Sequence, residues 1–138
     1  MTGMTLVEVL VAVLVLSIGL LGLASLQMTV LRSNHSAYLR SQATLLAQDI
    51  TERMLANRSA ALAGKYDAAN CTTNPDCDGW AKRIPGMLGA GANGSVAREA
   101  GNQFVVVIQW NDERGRIKDG SGTASADDTS VFVYRTEI

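Results

Sequence analysis

An uncharged run near the N-terminus constrains this chain more than any other feature. Residues 9–31 contain no acidic or basic side chain, and their polar side chains are Ser17, Ser25, Gln27 and Thr29. Because an α-helix rises 1.5 Å per residue, about 20 apolar residues are enough to cross a hydrocarbon core of roughly 30 Å. The run therefore predicts one membrane-spanning helix, and the rest of the chain has to fold beside it.

Glu8 stands at the start of this run. A carboxylate buried in lipid costs on the order of 2.5 to 3.5 kcal/mol unless another group pairs with it. Glu8 therefore either lies in water at the membrane interface or has a partner for its charge. The string that leads into the apolar helix reads Gly3-Met4-Thr5-Leu6-Val7-Glu8. It resembles the processing site of type IV pilins and of type II secretion pseudopilins.

This resemblance implies how the N-terminus is processed. The leader would be residues 1–3, cut by a prepilin peptidase between Gly3 and Met4, after which Met4 is N-methylated and Glu8 serves assembly. Residues 1–3 contain no Lys or Arg, so either the leader is short or the chain starts further upstream. The alternative is a secretory signal peptide, whose cleavage site would follow the apolar region, where Ala24-Ser25-Leu26 is a weak match.

A helical pattern of another kind follows the uncharged run. Apolar residues spaced three or four apart predict one buried stripe on a helix that leaves the membrane. No proline or glycine occurs between residues 34 and 63, so one helix from about residue 4 to about residue 63 is expected, ended by Gly64 as a left-handed cap. Gly19 and Gly22 favour either close helix packing in lipid or a weak point in this helix. The stripe consists of Leu39, Ala43, Leu46, Ile50 and Met54.

The remaining chain provides a small antiparallel sheet. Residues 103–110 and 131–136 are β-branched and aromatic and predict two strands, with a third near residues 95–98. Residues 63–102 predict loop with one or two helical turns at residues 80–88, and residues 119–128 predict a flexible polar loop. The expected fold class is α+β, in which a long N-terminal helix, half transmembrane and half amphipathic, packs against the sheet as a pilin-like lollipop. The transmembrane and filament-core helix would be residues 4–31, and the head residues 32–138.

Five further segments sharpen the resemblance. They are Gly19-Leu20-Leu21-Gly22-Leu23, Leu39-Arg40-Ser41-Gln42-Ala43-Thr44-Leu45-Leu46-Ala47, Ile50-Thr51-Glu52-Arg53-Met54, Ala56-Asn57-Arg58 and Ile108-Gln109-Trp110-Asn111-Asp112. These segments are similar to minor pilins of the PilV type, the type IV pilus modification proteins. The match covers the N-terminal helix well and the head loosely.

The resemblance implies a structural role in type IV pilus assembly, in a priming or tip complex, with effects on adhesion and twitching motility. Its implied partners are other minor pilins, the major pilin, the prepilin peptidase, the inner-membrane assembly platform and, at the fibre tip, an adhesin. The prepilin would cross the inner membrane once, with a cytoplasmic N-terminus and a periplasmic head, before entering the pilus at the cell surface. The alternatives are a minor pseudopilin of a type II secretion system and a membrane-anchored periplasmic enzyme or sensor.

Composition sets the size of the head and argues against some partners. The chain has 138 residues, and roughly 105 remain outside the membrane segment, enough for one small domain. A formal net charge of −1, with the twelve basic residues scattered along the chain, gives no electrostatic reason to expect nucleic acid.

Cys71 and Cys77 lie in a polar segment with no neighbouring ligands to complete a zinc site. If the head is periplasmic, a disulfide between them is the natural state. Two free thiols are the alternative.

Other candidate sites are weaker. The stretch 74–79 imitates the first half of a calcium loop, but Pro85 stands where the twelfth-position glutamate is needed, and Asp119, Asp127 and Asp128 fit a solvated loop better. The only histidine, His35, has no nucleophile near it in sequence and is expected at an exposed interface. We expect no catalytic residue, metal or cofactor. The two tryptophans, Trp80 and Trp110, are expected to be core anchors rather than a sugar platform.

Overall fold

The computed structural model describes residues 5–112 and 129–138. The expectations for Gly3 and Met4, and for the aspartates at 119, 127 and 128, lie outside the described residues. The first element is helix α1, Leu6–Ala56, whose 51 residues make it about 75 Å long. It continues through Gly19 and Gly22 without a break, as the sequence predicts.

The second half of α1 carries the core. Its buried side chains include every member of the predicted stripe. Ala47 and Thr51 extend the stripe, and the Thr51 hydroxyl donates to the Ala47 carbonyl oxygen at 2.8 Å, so this buried polar group is satisfied within the helix. The predicted amphipathic half is confirmed.

The end of α1 differs from the prediction of one helix to residue 63. Asn57, with φ −124° and ψ 55°, leaves the helical region, and a short helix α2, Arg58–Leu62, follows it. Gly64 has φ 72°, and its amide donates to the Ala61 carbonyl oxygen at 2.9 Å. The left-handed glycine is therefore present, but it ends α2 and not the long helix.

A full helix replaces most of the loop predicted between α1 and the sheet. After a single 3₁₀ turn, Cys71–Thr73, helix α3 spans Pro75–Leu88. The Asn74 side chain accepts a hydrogen bond from the Asp76 amide at 3.1 Å, and proline at the first helical position needs no amide partner. The prediction of one or two turns was too short. The buried face of α3 consists of Cys77, Trp80, Ile84 and Leu88.

Three antiparallel strands form one sheet in the order β1-β2-β3. They are β1, Asn93–Arg98; β2, Gln103–Asn111; and β3, Thr129–Glu137. The two predicted strands and the third are confirmed, and the fold is the expected α+β arrangement of one long helix and a small sheet. The inward face of β2 is Phe104, Val106, Ile108 and Trp110.

The sheet, α3 and the second half of α1 share one core. Both tryptophans are buried in it, and Trp80 Nε1 donates to the Leu46 carbonyl oxygen at 2.8 Å, tying α3 to α1. Gly94 of β1 lies against Trp80 and Ile84 so closely that a Cβ there would overlap both side chains. The tryptophans are core anchors, as the sequence predicts.

Candidate functional site

The first turn of α1 is capped by a side chain. Thr5 has the extended conformation of an N-cap residue, and its hydroxyl oxygen accepts a hydrogen bond from the Glu8 amide at 3.3 Å. A threonine followed three residues later by glutamate is the sequence signature of a capping box, a local signal that is absent from the expectations above. The helix therefore has a defined start immediately before its apolar run.

Glu8 is exposed in the first turn of α1. Within residues 5–112 and 129–138 its carboxylate makes no salt bridge. A negative charge in this turn is stabilised by the helix dipole, typically by about 0.3 to 1 kcal/mol. The local geometry thus accounts for a carboxylate at the helix start and leaves its outward side open to another group.

The apolar half of α1 stands outside the core. Its large side chains run from Leu6, 78% exposed, to Leu31, 68% exposed, and none of them is covered by the head. The Ser17 and Thr29 hydroxyls donate to carbonyl oxygens of Val13 and Ser25, one turn back in the same helix. α1 is therefore one helix long and apolar enough to cross a membrane, with these hydroxyls satisfied internally.

One hydrogen bond ties the end of β2 to α1 just beyond the apolar run. The Ser36 hydroxyl donates to Asp112 Oδ2 at 2.6 Å, and Asp112 is only 4% exposed. Among the described residues, Asp112 Oδ1 and Trp110 Nε1 are buried without a hydrogen-bond partner. The acidic residue that carried part of the resemblance thus ties the end of the sheet nearest the apolar run, which we call the lower end, to the helix, a pairing that sequence alone could not predict.

Charged side chains gather at the opposite end of the head, where α1 ends. The Asp49 carboxylate accepts hydrogen bonds from Arg53, at 3.0 Å, and from Arg83. The Tyr66 hydroxyl lies 3.2 Å from Asp76 Oδ2, and burial, reinforced by the Asp76 charge, raises the pKa of Tyr66 above its usual value. These contacts join α1, α3 and the segment between them.

Cys71 and Cys77 form a disulfide with a Cα to Cα distance of 5.0 Å, and no cysteine is free. The bond links the 3₁₀ turn to the first turn of α3. The calcium-like stretch is the start of that helix, where Asp76 contacts Tyr66 and Asp78 forms a salt bridge with Lys82 at 2.6 Å. These aspartates are therefore engaged within the fold rather than arranged around a cation.

His35 is exposed, as expected, and lines an open groove of about 410 Å³ between α1 and the end of α3. In the part of the chain that the structure describes, no three His, Cys, Asp or Glu side chains are grouped so as to hold a metal ion.

The structure thus brings together the capped helix start, the exposed apolar half of α1 and a head fixed to its other half. No family model, curated protein or solved structure matches this chain.

Proposed function

We propose that this chain is a minor pilin, cut by a prepilin peptidase after Gly3 and used in a type IV pilus as part of a priming or tip complex. The observation that carries the proposal is α1 itself. One half of the helix is covered by the head, while the other presents apolar side chains to its surroundings along its whole circumference.

Such a helix is stable in two environments, a lipid bilayer and a bundle of similar helices, because both remove its apolar surface from water. A pilin uses the two in turn: the bilayer before assembly and the fibre afterwards. The partners that follow are the major pilin, other minor pilins and the assembly platform, with an adhesin where the subunit lies at the tip. The role is structural, in adhesion and twitching motility, and no cofactor enters it.

The processing step gives the direct test. Mass spectrometry of the protein recovered from membranes and from sheared pili should find N-methylated Met4 as the first residue. An intact Met1, or a first residue beyond position 20, would overturn the proposal.

A minor pseudopilin of a type II secretion system would show the same helix and the same processing. Deletion of the gene separates the two. Loss of surface pili with intact protein secretion supports the pilus, whereas loss of secretion with normal pili supports the secretion system. A membrane-anchored periplasmic enzyme or sensor would stay uncleaved in the inner membrane.

A further inference from the structure

The sheet has two edge strands, β1 and β3, and they are covered differently. At the edge of β1, the Ala68 amide donates to the Val96 carbonyl oxygen at 3.0 Å, and the Arg98 guanidinium donates to the Leu62 carbonyl oxygen at 2.6 Å. The end of α2 and the segment after it therefore lie along β1. Among the described residues, no backbone hydrogen bond of this kind reaches the outer edge of β3.

The hydrogen-bond pattern fixes which backbone groups of β3 face this open edge. In an antiparallel pair, residues that bond to the neighbouring strand alternate with residues whose N–H and C=O groups point away from it. The Ile138 amide donates to the Asn102 carbonyl oxygen at 3.0 Å, and the register continues with Gln103 opposite Glu137. The even-numbered residues of β3 therefore bond to β2, and the odd-numbered ones direct their backbone groups outward. The outward residues, all of them exposed, are Thr129, Val131, Val133, Arg135 and Glu137.

The ladder between β1 and β2 gives the same assignment independently. The Glu99 amide donates to the Gln103 carbonyl oxygen at 2.8 Å, so the odd-numbered residues of β2 bond to β1 and the even-numbered ones bond to β3. The even-numbered residues of β2 lie opposite even-numbered residues of β3, such as Phe104 opposite Thr136. The outward N–H and C=O groups of β3 are thus left for a further strand.

Both faces of β3 are apolar beside this edge. On the core side, Phe132 and Tyr134 pack against the core but are only half-buried, because β3 has a neighbouring strand on one side only. On the outer side, Val131 is 52% exposed and Val133 is 46% exposed, with Val107 of β2 opposite Val133. A strand bonded to the open edge would bury the remaining apolar surface on both faces.

The strand lacks most of the features that keep edge strands from pairing. β3 is nine residues long and contains neither proline nor lysine. Its charged residues, Arg135 and Glu137, lie near its end, and the Arg135 side chain reaches across the sheet to Glu99, 3.9 Å away. A long open strand with apolar faces is typical of surfaces that bind an extended peptide by strand addition.

Neither a second copy nor the chain's own intervening segment suits this edge. Two copies joined through antiparallel β3 strands are related by a two-fold axis normal to the sheet, which reverses α1 because α1 packs on the sheet. Their apolar halves could not then enter one bilayer, an exclusion that rests on membrane insertion within the proposed function. Residues 113–128 contain one large apolar side chain, Ile117, and so do not match a surface that is apolar on both faces.

We propose that β3 binds an extended segment of a different protein, which adds a fourth strand to the three-stranded sheet. Hydrogen bonds to the outward backbone groups of β3 hold the segment in place. Its side chains are β-branched or aromatic on both faces: one row covers Phe132 and Tyr134, and the other continues the row of Val131 and Val133.

Amide-resolved hydrogen exchange on the full chain in detergent micelles tests the proposal. The probe is an acetylated peptide of valine, threonine and phenylalanine with a lysine at each end, and its control carries proline in place of the central residues. In the free chain, the amides of Val131, Val133 and Arg135 should exchange many-fold faster than those of Phe132 and Tyr134. The probe should slow exchange of the outward amides several-fold, and the control peptide should not.

Variants at one outward position separate the backbone from the side chain. Val133→Pro removes an outward N–H and leaves the bonds to β2, since proline is tolerated on edge strands. It should reduce the protection that the probe gives to the Val131 and Arg135 amides, while the Phe132 and Tyr134 amides stay slow. Val133→Thr keeps the N–H and a β-branched side chain, and should respond to the probe as wild type does.

Several outcomes would overturn the proposal. Slow exchange of the outward amides in the free monomer would mean that the chain itself covers the edge. Protection that increases with protein concentration in the absence of the probe would assign the edge to a second copy. Outward amides of the wild type that the probe leaves unprotected would show that the edge does not accept a strand. Each of these results leaves cleavage after Gly3, the test of the proposed function, unaffected.

Discussion

Glu8 is the third residue of a capped helix, so its carboxylate has a local role in addition to any role in assembly. If the Glu8 charge pairs with the α-amino group of Met4, which becomes free on cleavage after Gly3, removing the charge should affect assembly more than insertion. For Glu8→Gln we expect normal membrane insertion and cleavage and a several-fold loss of the protein from sheared pili. Immunoblots of the membrane and pilus fractions measure both.

Thr5→Ala is the control for Glu8→Gln because it removes the cap and keeps the charge. It should lower helix stability by about 1 kcal/mol and leave pilus incorporation closer to wild type. Wild-type incorporation of Glu8→Gln would show that Glu8 is only an interface residue. Equal losses in both variants would assign the effect to helix capping.

Tyr66 makes the stability of the head sensitive to alkaline pH. Since burial and the neighbouring Asp76 charge raise its pKa in the folded state, the neutral form is favoured more strongly there than in the unfolded chain. Its contribution is therefore complete below the unfolded pKa of about 10 and is lost as pH rises through the folded pKa. Denaturant unfolding of the chain in detergent should show stability falling above about pH 10. Tyr66→Phe should flatten this fall, and an unchanged pH profile in that variant would contradict the assignment.

At the scale of elements, the sequence predicts helices and strands well where the apolar residues follow one regular spacing. The apolar run and the stripe of α1 follow from spacing alone, and the strands follow from β-branched residues, because these patterns need no knowledge of a partner. The start of α3 had its own signals, since Asn74 caps the helix and Pro75 takes its first position. The sequence nevertheless favoured a loop, because the helix contains Gly79, Pro85 and Gly86, which lower the local preference for helix. Burial of the face of α3 that packs on α1 outweighs this unfavourable preference.

The break at Asn57 and the hydrogen bond between Ser36 and Asp112 could not be predicted in the same way. Each depends on where distant parts of the chain meet. The helix cap at Thr5, by contrast, has a local signal in the sequence, a threonine followed three residues later by a glutamate.

Two glycines of the head test the packing of α3 against the sheet. Gly94→Ala places a Cβ into Trp80 and Ile84 and should destabilise the head by about 1 to 3 kcal/mol through overpacking. Gly79→Ala, in open space on α3, should instead stabilise it by up to about 1 kcal/mol through helix preference. Opposite shifts of the unfolding midpoint are expected. Equal shifts would mean that the Gly94 contact is not tight.

The disulfide closes a short loop, so its effect should be moderate. In the chain-entropy account, a disulfide stabilises the fold because it restricts the unfolded chain, and a loop of this size gives roughly 2 kcal/mol of stabilisation. Chemical unfolding of the double variant Cys71→Ala with Cys77→Ala should show this loss. Wild type unfolded under reducing conditions is the matched control, since it keeps both side chains. An unfolding midpoint unchanged by reduction would contradict the prediction.

On the scale of the whole molecule, the head covers only the second half of α1, and so its attachment near the apolar run decides how rigidly the two halves act together. Above it, α3 is tied to α1 by the ion pairs of Arg53 with Asp76 and of Arg83 with Asp49, and by the hydrogen bond from Trp80 to the Leu46 carbonyl oxygen. At the lower end, the Ser36 hydroxyl donates to Asp112, a hydrogen bond between side chains that joins the end of β2 to α1.

A double-mutant cycle measures how strongly that pair holds the lower end. Ser36→Ala leaves the buried Asp112 carboxylate without its donor, and Asp112→Ala removes the acceptor, so each single variant should be less stable than the wild type. Because a hydrogen bond to a charged group contributes about 1.5 to 3 kcal/mol, the two losses should fall short of additivity by an amount of that order. Ser41→Ala is the control, because the Ser41 hydroxyl donates to the Ala37 carbonyl oxygen in the same helix, and its effect should add to that of Asp112→Ala.

Hydrogen exchange at the end of β2 should rise in Ser36→Ala and not in Ser41→Ala. If the effects of Ser36→Ala and Asp112→Ala simply add, the hydrogen bond does not hold the lower end of the head, and packing of Trp110 and its neighbours does.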